Sequence, residues 1–454
     1  MKRISRRMFF LSVLMVVLLA GLGFFVFRYA LNAGQWVIFP GSPHVYAGNN
    51  LSAGKVVDRD GTLLLDNTDG RVYSSDGDLR RATMHLLGDR YGYISAPVLG
   101  KYAHELVGYS VVNGLYGAQN GQNTAHLTIS APVQKVAQNA LAGRKGTIGV
   151  YNYKTGEIIC AVTSPTYDPD NMPDVAGDPT GAYDGVYLNR FFQTTYVPGS
   201  IFKVLTAGAA LETVDGVQEQ TFTCEGKWEV GNDTVNCNGV HGEIDLKQAL
   251  EKSCNVAFGQ LALQVGEDTL TKYAKKAGVT DKLKFDGITT APGNFDLTGA
   301  GENQKAWAGI GQHTDLINAC QYMTFMGAVA NGGSSAKPYL MEQVGGGLLG
   351  HQAKTQMLDK VMETETTDVL ADMMHSAVVD MYGASLFPDL YVCAKSGTAE
   401  LGEGTTPHAT FAGFIRDERY PLAFIVIVEH GGSGSATCAP IAGQVLNACV
   451  SALS

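Results

Sequence analysis

The stretch LYVCAKSGTAELGEGTTPHATFAGFIRDERYPLAFIVIVEH, residues 390–430, contains three runs of apolar, β-branched and aromatic residues separated by short polar turns. Such runs are typical of strands, and the short turns predict an antiparallel meander. Upstream, residues 146–165 contain two more strand-like runs around the turn Lys154-Thr155-Gly156, which predicts a hairpin. Helical patterns accompany both groups. The sequence therefore predicts one α/β domain whose sheet takes strands from both ends of its segment.

Helical periodicity fills the rest of this segment. Residues 245–266 have the pattern of two helices broken near Ser253, and residues 314–333 predict a helix with Thr314 as its N-cap. Two further helices are predicted over residues 130–143 and near the end of the chain, over 440–454. The segment thus combines an antiparallel sheet covered by helices with an all-helical subregion.

Composition limits the functions that the chain can have. It has 454 residues, of which 45% are hydrophobic, and this length predicts two or three domains with a large core. Its 43 acidic and 33 basic residues give a net charge of −10, and beyond the first seven residues there is no basic stripe. We therefore expect no nucleic-acid partner.

The beginning of the chain predicts a membrane anchor. Residues 8–27 are apolar and uncharged, and twenty helical residues span the hydrocarbon core of about 30 Å. The run is longer than that of most cleaved signal peptides, and Arg28 follows it directly. Four cations precede it, which places the N-terminus in the cytoplasm and residues 29–454 outside.

Three regions are predicted along the chain. Residues 1–33 form the tail and anchor, residues 34–124 a small β-rich module, and residues 125–454 the main domain. Within the module, the stretch KVVDRDGTLLLD, residues 55–66, predicts two short strands around an Asp-Arg-Asp-Gly turn. We find no residues with an evident chemical role in the module.

The eight cysteines are too few for a disulfide scaffold. Cys224 and Cys237 border a polar loop, and a disulfide between them is one interpretation. The chain lacks a C-x-x-C or H-E-x-x-H motif and its ten histidines are scattered, which disfavours a zinc site. Five other cysteines have apolar neighbours typical of small core residues: Cys160, Cys254, Cys320, Cys393 and Cys449.

The stretch VPGSIFKVLTAG, residues 197–208, places Ser200 and Lys203 one helical turn apart. In a structural interpretation, Ser200 caps a helix and Lys203 extends to solvent. In a chemical interpretation, the two side chains share a face and a partly desolvated lysine takes the serine proton. The pair alone is weak evidence, because Ser52 and Lys55 also match S-x-x-K by chance in a loop.

Two further stretches favour the chemical interpretation. Ser253-Cys254-Asn255 interrupts a helical pattern, where serine and asparagine are either caps or a proton relay with an amide anchor. Lys395 to Thr398, the sequence KSGT, ends an apolar run and is suited to an anionic carboxylate. A second K-[ST]-G match at Lys154 lies in the predicted hairpin turn, upstream of Ser200.

In this order, the three motifs resemble those of the penicillin-recognising serine transferases. The flanking text VPGSIFK, KSCNVAFGQLA, GIGQHTDLINACQYMTFMGAVANGG and KSGTAELG is similar to that of class B, monofunctional penicillin-binding proteins. The resemblance covers residues 125–454, while residues 34–124 are short for the N-terminal module of that class. It implies a peptidoglycan D,D-transpeptidase and leaves open a septal, elongation or sporulation role.

The resemblance also implies a role for each motif residue. Ser200 is the nucleophile that attacks the carbonyl between two terminal D-alanines, and Lys203 takes its proton. Ser253 and Lys395 pass a proton to the leaving D-alanine. The substrate-binding residues are Asn255, Ser396, Gly397 and Thr398, and the backbone N–H groups of Ser200 and Thr398 form the oxyanion hole.

Other functions share these motifs. A β-lactamase of class A also needs a Glu in an E-x-x-L-N stretch, and none of the three Leu-Asn pairs here has one. The alternatives are a D,D-carboxypeptidase, which uses water as acceptor, a β-lactamase, which the missing Glu disfavours, and a non-enzymatic β-lactam sensor. The expected partners are stem peptides, β-lactams as inhibitors, membrane lipid around residues 8–27 and a membrane glycan polymerase. No metal or organic cofactor is expected.

Overall fold

A computed structural model of the chain describes residues 2–39, 46–47, 50–51, 53–68, 70–108, 123–231, 233–345 and 350–454. The α-helices are α1 Lys2–Val37, α2 Gly77–Leu87, α3 Pro97–Lys101, α4 Ala103–Val107, α5 Ala131–Leu141, α6 Arg190–Gln193, α7 Lys203–Thr213, α8 Leu246–Glu251, α9 Asn255–Val265, α10 Glu267–Lys276, α11 Glu302–Ile310, α12 Ala319–Ala330, α13 Thr364–Ala377 and α14 Gly434–Ala452.

The strands are β1 Tyr46–Ala47, β2 Asn50–Leu51, β3 Lys55–Val57, β4 Leu63–Asp66, β5 Val72–Tyr73, β6 Thr124–Leu127, β7 Gly146–Asn152, β8 Ile158–Ser164, β9 Thr195–Tyr196, β10 Phe222–Cys224, β11 Lys227–Val230, β12 Asp233–Asn236, β13 Gly242–Ile244, β14 Lys284–Phe285, β15 Ile288–Thr289, β16 Ile317–Asn318, β17 Met341–Val344, β18 His351–Gln352, β19 Val392–Ala399, β20 His408–Ile415 and β21 Leu422–Val428.

The central layer is a five-stranded antiparallel sheet in the order β19-β20-β21-β7-β8. The predicted hairpin and meander are therefore both confirmed, and they join where β21 pairs with β7. This pairing brings the two ends of the segment together, as the sequence predicts. It also makes β19, which carries the KSGT stretch, an edge strand of this sheet.

Both faces of this sheet are covered by helices. Side chains of one strand alternate between the two faces, so a single strand contributes to the core on each side. On β21, Phe424 and Val426 belong to a hydrophobic cluster with α5 and α14, whereas Ile425 and Ile427 belong to the larger cluster that contains α12. Every residue of β21 is buried, which explains its continuous apolar sequence. The helices α7 to α11, together with short hairpins, form the predicted helical subregion.

A second sheet joins the beginning of the chain to the main domain. Its strand order is β18-β17-β6-β3-β4-β5, and β3 and β4 form the hairpin predicted around the Asp-Arg-Asp-Gly turn. Strand β3 runs parallel to β6, and β6 pairs with β17 from far downstream. Strands of the predicted module, residues 34–124, and strands of the predicted main domain, residues 125–454, thus belong to one sheet.

Helix α1 contains the predicted apolar run. Within its segment Ile4–Ala33, the most apolar stretch of 18 residues has a mean hydropathy of 2.7 and none of that stretch is buried, whereas Ala33 at the end of the segment is buried. It is long and apolar enough to cross a membrane, and no second such helix occurs in the described ranges.

The helix predicted over residues 314–333 begins later than expected, so Thr314 as its N-cap is wrong. Ile317 and Asn318 pair with β9 in extended conformation, and the helix begins at Ala319. Asn318 is the N-cap, because its side chain accepts a hydrogen bond from the Gln321 N–H. Its amide also donates to the Thr194 carbonyl at 2.9 Å, which ties the helix to the loop before Ser200.

Candidate active site

Ser200 lies in a single 3₁₀ turn, Gly199–Phe202, that continues into α7 at Lys203. No side chain caps this turn, so Ser200 does not have the capping role of the structural interpretation. Lys203 is fully buried, which also rules out a lysine that extends to solvent. Both parts of the structural interpretation are therefore wrong.

Close backbone packing places this turn beside β19. Gly199 has φ +60°, and a Cβ there would lie 2.6 Å from the Thr398 carbonyl oxygen. A Cβ on Gly397 would lie 2.9 Å from the Pro198 carbonyl oxygen, and one on Gly311 only 2.1 Å from the Gly199 carbonyl oxygen. Only glycine permits these approaches, which bring Ser200 next to the KSGT strand.

The break between α8 and α9 presents the second motif to Lys203. Ser253 has φ +54°. Cys254 is the N-cap of α9, and its Sγ accepts a hydrogen bond from the Ala257 N–H. The Lys203 Nζ contacts the Ser253 carbonyl at 2.7 Å, the Ser253 Oγ at 3.2 Å and the Asn255 Oδ1 at 2.7 Å. The left-handed backbone at Ser253 therefore lets one residue offer two oxygen atoms to a single lysine.

The third motif reaches the same serine from the opposite side. Lys395, also fully buried, donates to the Ser253 Oγ at 2.9 Å and to the Ser396 carbonyl at 2.8 Å. The Ser253 hydroxyl thus lies between two lysines. The structure brings together Lys203, Ser253, Asn255 and Lys395, with Ser200 and Thr398 beside them.

The two buried lysines have unusual electrostatics. Burial, and then the nearby Lys395, lower the pKa of Lys203 well below its usual range. Burial lowers the pKa of Lys395 to about 7. In the described part of the chain, neither forms a hydrogen bond with a carboxylate. Because two such cations are unfavourable together, a neutral amine is accessible at neutral pH.

The hydrogen bonds favour Lys203 as that neutral amine. Its two N–H groups can donate to the Ser253 carbonyl and the Asn255 Oδ1, and its lone pair, which faces the Ser253 hydroxyl at 3.2 Å, can accept a proton. Within the described ranges, Lys203 has no hydrogen bond with Ser200, although the two residues are one turn apart. The contact of Ser200 with Lys203 that the sequence predicts is therefore not formed in the structure.

Two residues near the KSGT stretch were not identified from the sequence. The Tyr382 hydroxyl, from the π-helical turn Val378–Gly383, accepts hydrogen bonds from the Ser396 N–H and Oγ. The Gln312 amide lies 3.5 Å from the Thr398 carbonyl oxygen. Gln312 belongs to the GIGQHT text that carries the resemblance, but nothing in the sequence near Tyr382 indicates its contact.

The sequence contains two chance matches to the motifs, at Lys154 and at Ser52, and the structure describes only the first. Lys154 lies in the turn between β7 and β8, where it forms an ion pair with Glu418. This agrees with the predicted hairpin turn. Ser52 lies outside the described residues.

The five cysteines predicted to be small core residues are all buried, which confirms that prediction, but the disulfide interpretation is wrong. All eight are free, so the predicted disulfide between Cys224 and Cys237 is not formed. The reason is that both sulfur atoms have other neighbours: the side chains of His241 and Cys254 lie in the same small cluster. This cluster borders the second motif, because Cys254 is its middle residue.

Residues 146–447 match the family described as the penicillin binding protein transpeptidase domain. The chain belongs to this family. It is 28% identical over 381 residues to the peptidoglycan D,D-transpeptidase PbpA of Mycolicibacterium smegmatis, with 76% of each chain covered. It is also 28% identical to the stage V sporulation protein D of Bacillus subtilis, over 70% of this chain and 52% of that protein.

Solved structures of this family share the fold. Penicillin-binding protein A of M. tuberculosis, as its imipenem acyl-enzyme complex, superposes with a TM-score of 0.76 at 25% identity, over 88% of this chain and 98% of that one. The D,D-transpeptidase domain from Eggerthella lenta gives 0.73 at 25% identity, with the same coverage. The predicted fold and serine transpeptidase class are confirmed. The chain is a class B penicillin-binding transpeptidase.

Proposed function

We propose that Ser200 forms the acyl-enzyme through which this transpeptidase cross-links peptidoglycan stem peptides. The observation that carries this proposal is the Ser253 hydroxyl, held 3.2 Å from Lys203 and 2.9 Å from Lys395, beside the turn of Ser200. A proton taken from Ser200 by Lys203 can reach a leaving group through Ser253 and Lys395. The three motifs then form one proton-transfer path from the nucleophile to the leaving group.

In acylation, the Ser200 Oγ attacks the carbonyl between the two terminal D-alanines, and its proton moves to the neutral Lys203 amine. The oxyanion accepts hydrogen bonds from the backbone N–H groups of Ser200 and Thr398. The C–N bond then breaks, and the departing D-alanine takes a proton delivered by Ser253 and Lys395. The Thr398 hydroxyl binds the D-alanine carboxylate, as does the Ser396 hydroxyl once it turns away from Tyr382, and Gly397 lets the turn of Ser200 lie close to this strand.

In deacylation, the amine of a second stem peptide attacks the ester carbonyl. Its proton returns along the same path, an amide bond forms, and the ester to Ser200 breaks, which restores the hydroxyl. Asn255 contributes by two contacts: its Oδ1 accepts from Lys203, and its Nδ2 donates to the Asn236 carbonyl at 2.8 Å. It is thereby fixed where a substrate amide would pass.

The site lies in the part of the chain that follows α1, and we place this part outside the cell. The basic residues before the apolar run support a cytoplasmic N-terminus. Helix α1 would then contact membrane lipid and hold the catalytic domain near newly made glycan. A membrane glycan polymerase is the partner that fits this arrangement, because it supplies uncross-linked strands at the same surface.

A transfer assay tests this function. The detergent-purified chain is given a peptide ending in D-Ala-D-Ala with an amine acceptor, and products are followed by mass spectrometry. We expect an amide-linked product with release of D-alanine, and no product from the Ser200→Ala variant. If D-alanine is released and the acceptor is never incorporated, the chain is a carboxypeptidase and the transpeptidase proposal fails.

The pH dependence of acylation follows from the two lysines. As pH rises through about 7, Lys395 loses the proton it donates, so the acylation rate should fall above that pH. As pH falls, Lys203 becomes protonated and cannot act as a base, so the rate should fall there too. Stopped-flow acylation by a chromogenic β-lactam measures this bell-shaped profile. A rate that rises steadily to pH 9 would contradict the assignment of Lys395.

A further inference from the structure

Four side chains that could coordinate a metal meet beside the second motif. Cys224 ends β10, Cys237 follows β12, His241 precedes β13, and Cys254 is the N-cap of α9. One donor atom from each residue lies within 4.8 Å of all the others. Cys224 and Cys254 are buried, and Cys237 and His241 are half-buried, so the cluster is largely closed to solvent.

Two of the distances between these atoms match those of a tetrahedral zinc site. The Cys237 and Cys254 sulfur atoms are 3.8 Å apart, and the Cys237 sulfur lies 3.6 Å from the His241 Nδ1. A Zn²⁺ ion with sulfur ligands at about 2.3 Å requires sulfur–sulfur distances of roughly 3.8 Å. One ion in the centre could therefore reach these donors without large movements.

A disulfide explains the cluster less well. All the sulfur atoms are free, and a disulfide would join only two of them. It would leave the third thiol and the imidazole without a reason to converge. Three thiols and one imidazole are the donors of a common closed zinc site, and sulfur ligands disfavour Mg²⁺ or Ca²⁺.

We propose that Cys224, Cys237, His241 and Cys254 bind one structural Zn²⁺ ion that positions the second catalytic motif. On binding, each of the three thiols gives a proton to solvent, and the neutral imidazole coordinates through Nδ1. The site then has a net charge of −1. Its four protein ligands leave no open position, so the ion stabilises structure and does not activate water.

The ion would act on Ser253 and Asn255 through the backbone. Cys254 stands between them in sequence, so fixing its sulfur fixes the peptide units on both sides. The Asn255 N–H also donates to the Cys237 sulfur at 3.3 Å. The metal would therefore hold the segment that presents the Ser253 oxygen atoms and Asn255 Oδ1 to Lys203. The positioning role of the metal rests on the proposed transpeptidase reaction, but metal binding itself does not depend on that reaction.

Metal content tests the site directly. The full chain, purified in detergent without chelators, should contain about one zinc ion per chain, as measured by inductively coupled plasma mass spectrometry. After exchange, Co²⁺ should give the intense visible absorption of a tetrahedral thiolate complex. Absence of zinc together with failure to bind added Zn²⁺ or Co²⁺ would overturn the proposal. A disulfide between any two of the three cysteines in natively purified protein would overturn it as well.

Single variants separate this site from general effects on folding. Cys237→Ser and His241→Ala should each lose most of the zinc, whereas Cys160→Ala, a buried cysteine in the sheet, should keep it. If the ligand variants do not fold, the cobalt spectrum of the unmodified chain still decides the question. Ligand variants that keep full metal content would refute the assignment.

Acylation tests the positioning role. Removal of the ion by a chelator should slow acylation of Ser200 by roughly tenfold or more, and added Zn²⁺ should restore it, as for other groups that orient a site. Removal without any change in rate would refute the positioning role. Zinc binding in a chain that is never acylated would leave the metal site intact and contradict only the proposed reaction.

Discussion

Replacement of Ser200 by alanine will leave the chain without any covalent adduct after incubation with a fluorescent penicillin. The reason is that Ser200 supplies the only oxygen to which we assign the ester. Lys203→Met, which keeps most of the side-chain volume, should retain the adduct but slow its formation on the order of 10³-fold, or about 4 kcal/mol of barrier. Gel fluorescence over time and peptide mass mapping measure both effects.

The double variant tests whether the two residues act as a unit. If Lys203 serves only to take the Ser200 proton, the double variant should retain the same residual turnover of a thioester substrate as Ser200→Ala alone. Thermal melting must show that each variant is folded, because Lys203 is fully buried. A folded Lys203→Met chain that is acylated at the normal rate would remove Lys203 from the mechanism.

Lys395→Met should slow acylation by about 10²-fold to 10³-fold, because it removes both a proton donor to Ser253 and a buried positive charge beside the substrate carboxylate. The matched control is Lys154→Met, which alters the same type of motif in the turn between β7 and β8. Lys154 is partly exposed and paired with Glu418, so its loss should leave the rate within about twofold.

Acylation by a chromogenic β-lactam under single-turnover conditions compares the two variants. Equal effects from Lys154→Met and Lys395→Met would show that the wrong K-[ST]-G motif has been chosen. A normal rate for Lys395→Met would instead indicate that Ser253 receives its proton from solvent. Melting temperatures again separate a catalytic effect from loss of structure.

Much of the fold could be predicted from local patterns. The runs in residues 390–430 are strands because apolar, β-branched residues suit a sheet whose two faces are both covered. The break at Ser253 was also visible, since Ser and Asn rarely continue an apolar helix. In both places, local preference and tertiary structure agree, which is when sequence patterns succeed.

The predictions failed where distant contacts outweigh local preference. Thr314 is a good N-cap by type, but pairing of Ile317 and Asn318 with β9 delays the helix until Ala319. Ser200 resembles a cap, yet close contact with β19 sets its conformation. Neither β9 nor β19 is adjacent in sequence to the residue that it controls, so no local pattern could report the contact.

The candidate site shows the same division. The motifs indicated Ser200, Lys203, Ser253 and Lys395, but not that the Ser253 hydroxyl lies between the two lysines. The cysteine cluster was missed because its members come from two hairpins and a helix, with spacing unlike common zinc motifs. The four-residue separation of Cys237 and His241 is a local signal of shared ligation, but the two cysteines that border the polar loop equally suggest a disulfide.

The junction of β21 with β7 has a consequence for how the protein matures. Residues near 150 must wait for residues near 425 before the central sheet can close, so its formation depends on contacts very distant in sequence. Such topologies fold slowly. Until the final strands have been synthesised, the nucleophile has no partner strand and the two lysines cannot meet. A chain interrupted before this point would contain Ser200 but not the assembled active site. Ser200 can therefore be acylated only once almost the whole polypeptide has been synthesised.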